Sequence, residues 1–124
     1  MNQQEIFDTV VTHLRKQGKK AVVMGSEGPS CMYRSPDGLK CAAGCLIPDR
    51  DYLPEFEGVT INDGDHYPVV KYFSSKFDED GMELISELQT VHDFMEPQDW
   101  ELRWESIAID HGLKLLPKGK TSHD

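Results

Sequence analysis

Apolar residues recur at the spacing of an α-helix in three parts of the chain. In the first, Asn2 can act as an N-cap, Glu5 stands where a capping box requires it, and Gly18 can close the helix. The apolar face between these signals consists of Ile6, Phe7, Val10, Val11 and Leu14. The pattern predicts an N-terminal helix.

Two further apolar stripes follow each other near the C-terminus. We expect Asp80 to cap the first helix and Pro97 to be the first residue of the second, where its fixed φ suits a helix start. The stripes comprise Leu84, Ile85, Leu88, Val91 and Met95, and then Trp100, Trp104, Ile107, Ala108 and His111. Because only a few residues connect them, the two helices are predicted to form an antiparallel hairpin.

The region between these helices has weaker periodicity. Residues 21–24 and 31–34 are short candidate strands, and the glycines and proline between them favour a small β-hairpin. Residues 39–47 are apolar and small, and most of them are predicted to form a short buried helix. Gly44 inside that helix costs about 1 kcal/mol relative to alanine, so we expect a close packing contact there. Residues 67–77 favour another short helix.

These elements predict a helix-dominated α+β fold. It consists of an N-terminal helix, a small β-hairpin, a short buried helix and a C-terminal antiparallel helical hairpin. A chain of 124 residues supports one domain, which we expect to span residues 1–116, with a loose C-terminal tail at residues 117–124. The predicted core contains Phe7, Val11, Leu14, Leu46, Leu88, Val91, Trp104 and Ile107.

Charge is distributed unevenly along the chain. The formal net charge is −9, and residues 51–112 alone contain 3 basic and 16 acidic residues. Such a segment repels phosphate backbones, so direct binding of nucleic acid is not expected. It suits a basic protein partner or mimicry of nucleic acid, although the commoner explanation is the solvated surface of acidic helices.

Three sequence features bear on the cellular compartment of the protein. No apolar stretch approaches the roughly 20 residues that span a bilayer, and the start of the chain lacks the basic and apolar regions of a signal peptide. The three cysteines, an odd number, indicate free thiols in a reducing environment. We therefore expect a cytoplasmic protein without membrane association.

The cysteines are also the first candidates for chemistry. Cys41 and Cys45 lie four residues apart, which places both sulfurs on one side of a helix. Together with Cys31 and His92, or with His111 in place of His92, they could hold zinc tetrahedrally. The spacing does not match the common CxxC pairs, and free cysteines more often serve as small buried hydrophobes.

A Cys–His hydrolytic site is a second hypothesis for the same residues. Near the N-terminus of the predicted short helix, the helix dipole would lower the pKa of the Cys41 thiol, and His92 could act as a base. Consecutive helix residues point in different directions, so Asp93 is not expected to orient His92.

A third candidate site combines basic and aromatic residues. Arg34, Lys40 and Arg50 are the basic residues near the central motif, and Tyr33 and Tyr52 lie beside two of them. Arginine can hold a phosphate in a bidentate manner and an aromatic ring can stack on a base, so these five residues predict a nucleotide site. In the alternative, the cations pair with the nearby carboxylates of Asp37, Asp49 and Asp51.

The central segment, residues 33–49, reads Tyr-Arg-Ser-Pro-Asp-Gly-Leu-Lys-Cys-Ala-Ala-Gly-Cys-Leu-Ile-Pro-Asp. It resembles a family of small proteins of tailed phages and bacterial prophages. The similarity extends to Gln3, Gln4, Glu5, the pair Glu57-Gly58, Leu88-Gln89, His92-Asp93 and Trp100. The resemblance implies a phage-borne protein that acts in the cytoplasm of an infected bacterium, and it assigns no functional residue.

The sequence thus predicts a small non-catalytic accessory protein that requires no cofactor. Accessory proteins of this kind often blunt host defence, here by sequestering a nucleotide-like small molecule or by occluding a basic host protein. The alternative is a zinc-binding or Cys–His hydrolytic protein that uses Cys31, Cys41, Cys45 and His92.

Overall fold

The computed structural model describes residues 1–117 of the chain. Most of the predicted tail, residues 118–124, therefore lies outside the described residues. The described part has the predicted helix-dominated α+β architecture, and its elements are α1 (Gln3–Gln17), β1 (Val22–Gly25), β2 (Gly28–Cys31), α2 (Pro68–Lys76), α3 (Glu79–Phe94) and α4 (Trp100–His111).

Helix α1 begins and ends at the predicted residues. The side-chain oxygen of Asn2 accepts a hydrogen bond from the Glu5 amide at 2.8 Å, and the Glu5 carboxylate accepts one from the Asn2 amide at 2.9 Å. Gly18 closes the helix with a φ of 72°, in the left-handed region that glycine tolerates. The whole predicted apolar face of α1 is buried, and the helix packs against α3.

Helices α3 and α4 form the predicted C-terminal pair, but the cap of α3 is Asp78 and not Asp80. The Asp78 carboxylate accepts a hydrogen bond from the Gly81 amide at 2.8 Å. An N-cap needs an extended backbone, which Asp78 has with ψ at 179°, whereas Asp80 already lies within the helix. Pro97 begins a 3₁₀ turn, Pro97–Asp99, that leads directly into α4.

The β-hairpin turns earlier than the sequence predicted. Strands β1 and β2 pair antiparallel, with Val22 opposite Cys31 and Gly25 opposite Gly28. Only two residues connect them. The second strand therefore begins at Gly28, within the segment that the sequence predicted to be the turn. Arg34, predicted to end that strand, instead forms an isolated bridge with Lys40.

The short buried helix predicted at residues 39–47 is a single 3₁₀ turn, Gly44–Leu46. In a longer helix, the backbone amides of this segment would donate to backbone carbonyls, but here they donate to side chains. The Ala43 amide donates to the Gln89 side chain at 2.8 Å, and the Gly44 amide donates to the Cys41 sulfur at 3.2 Å. The expected close contact at Gly44 is present, since a Cβ placed there would lie 2.1 Å from the Tyr33 carbonyl oxygen.

The predicted core is buried except at Leu46, which is half-buried. Leu113 and Leu115, beyond α4, also pack against this core. None of the helices within residues 1–117 combines the length and the apolar character that crossing a membrane requires.

Candidate ligand cavity

An open cavity of about 210 Å³ lies between the end of β2, residues 57–60 and helix α3. Ligand pockets for drug-sized molecules measure roughly 300–1,000 Å³, so this space suits a more compact group. We call it the Asp93 cavity. Its wall includes Cys31, Tyr33, Cys41, Glu57, Gln89 and Asp93.

Asp93 is the centre of the hydrogen bonding in this wall. Its Oδ1 atom accepts hydrogen bonds from His92 Nδ1 at 2.8 Å and from Gln89 Nε2 at 2.7 Å. Gln89 is itself fixed, because its Oε1 accepts from the Ala43 amide. The prediction that Asp93 does not orient His92 is therefore wrong: the side chains converge although the residues are adjacent. The carboxylate is held in one orientation.

His92 supports Asp93 from a fully buried position. The Ala21 backbone amide donates to His92 Nε2 at 3.0 Å. Because a backbone amide can only donate, the lone pair of the ring lies on Nε2 and its proton on Nδ1. A neutral imidazole has one such lone pair, so in this arrangement His92 has none left for a metal ion or for the proton of a thiol.

Cys31, His92 and Asp93 place one ligand atom each within 4.8 Å of one another. They form the one group of three metal-ligating side chains found in the described part of the chain, and Cys41 and Cys45 do not belong to it. Cys41 and Cys45, two of the four residues of the zinc hypothesis, are thus not brought around a common point with Cys31 and His92. The group is weak as a metal site because His92 offers no free lone pair in this arrangement.

The thiols are kept protonated at neutral pH. Desolvation, and then the neighbouring Asp93 carboxylate, raise the pKa of Cys31 to about 12. Burial raises the pKa of Cys41 well above that of an ordinary thiol, and it raises the pKa of Cys45 to about 12. The predicted lowering of the Cys41 pKa is therefore wrong, because burial disfavours the thiolate and the 3₁₀ turn at residues 44–46 begins only after Cys41. Protonated thiols are poor nucleophiles and poor metal ligands.

The predicted basic and aromatic cluster is brought together only in part. Arg34 Nη1 and Lys40 Nζ lie 3.0 Å and 3.6 Å from the Asp49 carboxylate. The Arg34 guanidinium also lies 4.6 Å from the centre of the Tyr52 ring and donates to the Ile47 carbonyl oxygen. These cations are therefore engaged with other groups of the protein.

The other two residues of that cluster point elsewhere. Tyr33 is buried in the wall of the Asp93 cavity, and its hydroxyl donates to the Val59 carbonyl oxygen at 2.6 Å. The Arg50 side chain is 83% exposed, with its nearest carboxylate, that of Asp51, 3.9 Å away. Of the five predicted residues, Tyr33 is the one that lines the Asp93 cavity within residues 1–117.

Glu57 is a structural residue of the site that sequence reasoning gave no role. Its carboxylate accepts hydrogen bonds from the backbone amides of Tyr33 and Arg34, at 2.9 Å and 3.0 Å, and from the Tyr52 hydroxyl at 2.7 Å. These bonds tie the loop that carries Glu57 to the segment after β2 and shape one wall of the cavity. A single glutamate in a loop has no periodic pattern that would have indicated this.

Segments that lie far apart in the chain meet at the Asp93 cavity. The central motif contributes Tyr33 and Cys41, and the later segments contribute Glu57, Gln89 and Asp93. Comparison of the chain with protein-family models, with curated proteins and with solved structures gives no match.

Proposed function

We propose that this protein is a non-catalytic accessory protein of the phage type, which sequesters a compact small molecule in the Asp93 cavity. The observation that carries the proposal is that Asp93 lines an open cavity while His92 and Gln89 hold its carboxylate in place. A binding site needs such a pre-organised polar group in a largely pre-formed concave space.

The absence of activated groups among the described wall residues favours binding over catalysis. The thiols are protonated and the His92 lone pair is occupied by the Ala21 amide. In the biological context that the resemblance implies, removing a ligand from the cytoplasm of an infected bacterium would blunt a host defence that uses this ligand as its signal.

Closing the cavity tests the proposal. Thr60 is an exposed wall residue, and Thr60→Trp would fill the mouth. Thr90→Trp makes the same change at an exposed position outside the wall and serves as the control. Calorimetry with cyclic and ADP-ribose-type nucleotides, nucleobases and small amines should identify a ligand that binds the wild type and Thr90→Trp but not Thr60→Trp. If the wild type binds no member of the panel, small-molecule sequestration is refuted.

The zinc-binding or Cys–His hydrolytic alternative has its own test. For His92 to ligate a metal, the bond from the Ala21 amide would have to break. We therefore expect the purified protein to hold less than stoichiometric zinc in metal analysis and Cys31 to be alkylated no faster than a model thiol. A stoichiometric metal that is lost in His92→Gln would favour the alternative.

Occlusion of a basic host protein is a second candidate function, and the surface of the C-terminal helices favours it. Residues 78–110 contain 11 acidic residues and one basic residue, Arg103. On α4, Leu102 and Ile109 are 75% and 72% exposed and lie seven residues apart, which is two turns along one face. An apolar pair with surrounding carboxylates fits a basic amphipathic helix of a partner.

Defined peptides can test this second candidate. A helical peptide of lysine and leucine should bind more tightly than a lysine and serine peptide of equal charge, because only the former can cover Leu102 and Ile109. The double variant Leu102→Ser, Ile109→Ser should abolish that difference in fluorescence anisotropy. Met24→Ser, which removes an equally exposed side chain from β1, should preserve it. Equal binding of both peptides to the wild type would argue against occlusion through this face.

A further inference from the structure

We infer that the Asp93 cavity selects a compact organic cation whose positive group carries N–H donors, as an ammonium or a guanidinium does. This inference rests on the proposed function and names the chemistry of its ligand. Three observations support it: the charged side chains that line the cavity are acidic, the Glu57 carboxylate already accepts hydrogen bonds from the protein, and the Asp93 carboxylate is held in a fixed orientation.

The charged side chains in the described wall are all acidic. Glu57 and Asp93 contribute carboxylates, and no lysine or arginine lines the cavity within residues 1–117. Lys20 lies outside this wall and donates at 3.4 Å to the backbone oxygen of Asp93. The field inside the cavity therefore attracts cations and repels phosphates and carboxylates.

The two carboxylates differ in what they can offer to a ligand. Glu57 already accepts three hydrogen bonds, from Tyr33, Arg34 and Tyr52. The hydrogen bonds from His92 and Gln89 both end on Oδ1 of Asp93, so neither of them uses Oδ2. The Cys31 thiol, a weak donor, lies next to the Asp93 carboxylate. A ligand would have to displace this thiol or bind the carboxylate together with it.

The buried imidazole makes Asp93 a rigid acceptor. His92 cannot rotate without losing the bond from the Ala21 amide, and Gln89 cannot rotate without losing the bond from the Ala43 amide. A carboxylate fixed in this way binds a charged N–H donor with little loss of conformational freedom, and hydrogen bonds between charged groups are the stronger kind. The volume of about 210 Å³ limits the ligand to a short chain.

The test compares small probes of different charge, of which butylamine, butanol and butyrate have similar size and agmatine is a longer cation with two positive groups. Agmatine and butylamine are the cationic probes, butanol is neutral and butyrate is anionic. Calorimetry at low salt should detect the cations alone, and Asp93→Asn should weaken their binding at least tenfold. Asp110→Asn removes the same charge from an exposed position on α4 and should leave the affinity within twofold.

The outcomes separate this inference from the function on which it rests. Unchanged binding of the cations to Asp93→Asn, or equal loss in Asp110→Asn, would overturn the inference. A neutral or anionic ligand that binds the wild type but not Thr60→Trp would overturn the inference and leave sequestration in place. If Asp93→Asn does not fold, cation binding must still disappear in Thr60→Trp and persist in Thr90→Trp, and any other result contradicts the inference.

Discussion

At the scale of single residues, Gly44 is the position with the least space around it. An alanine Cβ there would lie 2.1 Å from the oxygen and 2.9 Å from the carbon of the Tyr33 carbonyl, which are backbone atoms that cannot move aside cheaply. We expect Gly44→Ala to lower the free energy of unfolding by about 1–3 kcal/mol, measured by urea denaturation. Gly25→Ala is the control, since its Cβ would meet only one atom at 3.6 Å. Equal losses in both variants would contradict this explanation.

His13 makes stability depend on pH. Its ring is half-buried, with Nε2 3.1 Å from the Lys40 carbonyl oxygen, and burial lowers the pKa of His13 below its ordinary 6.5. The unfolded chain therefore takes up this proton more readily than the folded protein. The contribution of His13 to stability is fully present above pH 6.5 and is lost as the pH falls through the lowered pKa.

The variant His13→Gln should reduce this loss. Urea denaturation above and below pH 6.5 should show a smaller decrease in the free energy of unfolding for His13→Gln than for the wild type. His66→Gln replaces an exposed histidine and should leave the pH dependence of the wild type unchanged. The explanation fails if the two variants follow the same curve.

At the scale of elements, the start of α3 offers two aspartates of equal charge and different role. Asp78→Ala removes the acceptor of the Gly81 amide, and we expect it to lower the free energy of unfolding by about 1 kcal/mol. Asp80→Ala removes a carboxylate from the same end of the helix without breaking a cap. It should cost no more than a few tenths of a kcal/mol. If thermal and urea denaturation show a larger loss of stability for Asp80→Ala than for Asp78→Ala, then Asp80 is the cap, as the sequence predicted.

The elements that the sequence predicted correctly are those whose signals are local. The apolar face of α1 and its capping residues all lie within one segment, and the structure confirms them. The helix predicted at residues 39–47 was wrong because of a residue far away in the chain. Gln89 of α3 accepts the hydrogen bond of the Ala43 amide, which a helix would direct to a backbone carbonyl. The start of α3 was misplaced because Asp78 and Asp80 are both competent caps, and only the backbone conformation distinguishes them.

At the scale of the whole molecule, the Asp93 cavity could not be predicted, since its wall comes from segments far apart in the chain. The sequence predicted roles for Cys31, Tyr33 and Cys41 but none for Glu57 and Asp93, the acidic groups that give the cavity its charge. A weak signal was present: Gln89 and Asp93 stand four residues apart on α3 and so share a helix side. Their partners, the amides of Ala43 and Ala21, are tertiary contacts.

Repulsion between neighbouring glutamates of α3 also limits the stability of the molecule. The exposed residues Glu79 and Glu83 and the partly exposed Glu87 follow one another at intervals of four along α3, and like charges at this spacing destabilise a helix. Glu83→Lys turns two repulsive pairs into attractive ones, so we expect the free energy of unfolding to rise by about 1 kcal/mol at low salt. The gain should shrink at 1 M salt, where the Debye length falls to about 3 Å.

Glu27→Lys separates this local effect from the effect of net charge. It makes the same change of charge in the exposed turn between β1 and β2, where no helical neighbours at intervals of four are present. If repulsion within α3 dominates, Glu83→Lys stabilises the protein and Glu27→Lys does not. Equal stabilisation by both variants would mean that the overall charge of −9 is the cause, because each variant reduces the repulsion of the whole molecule by the same amount.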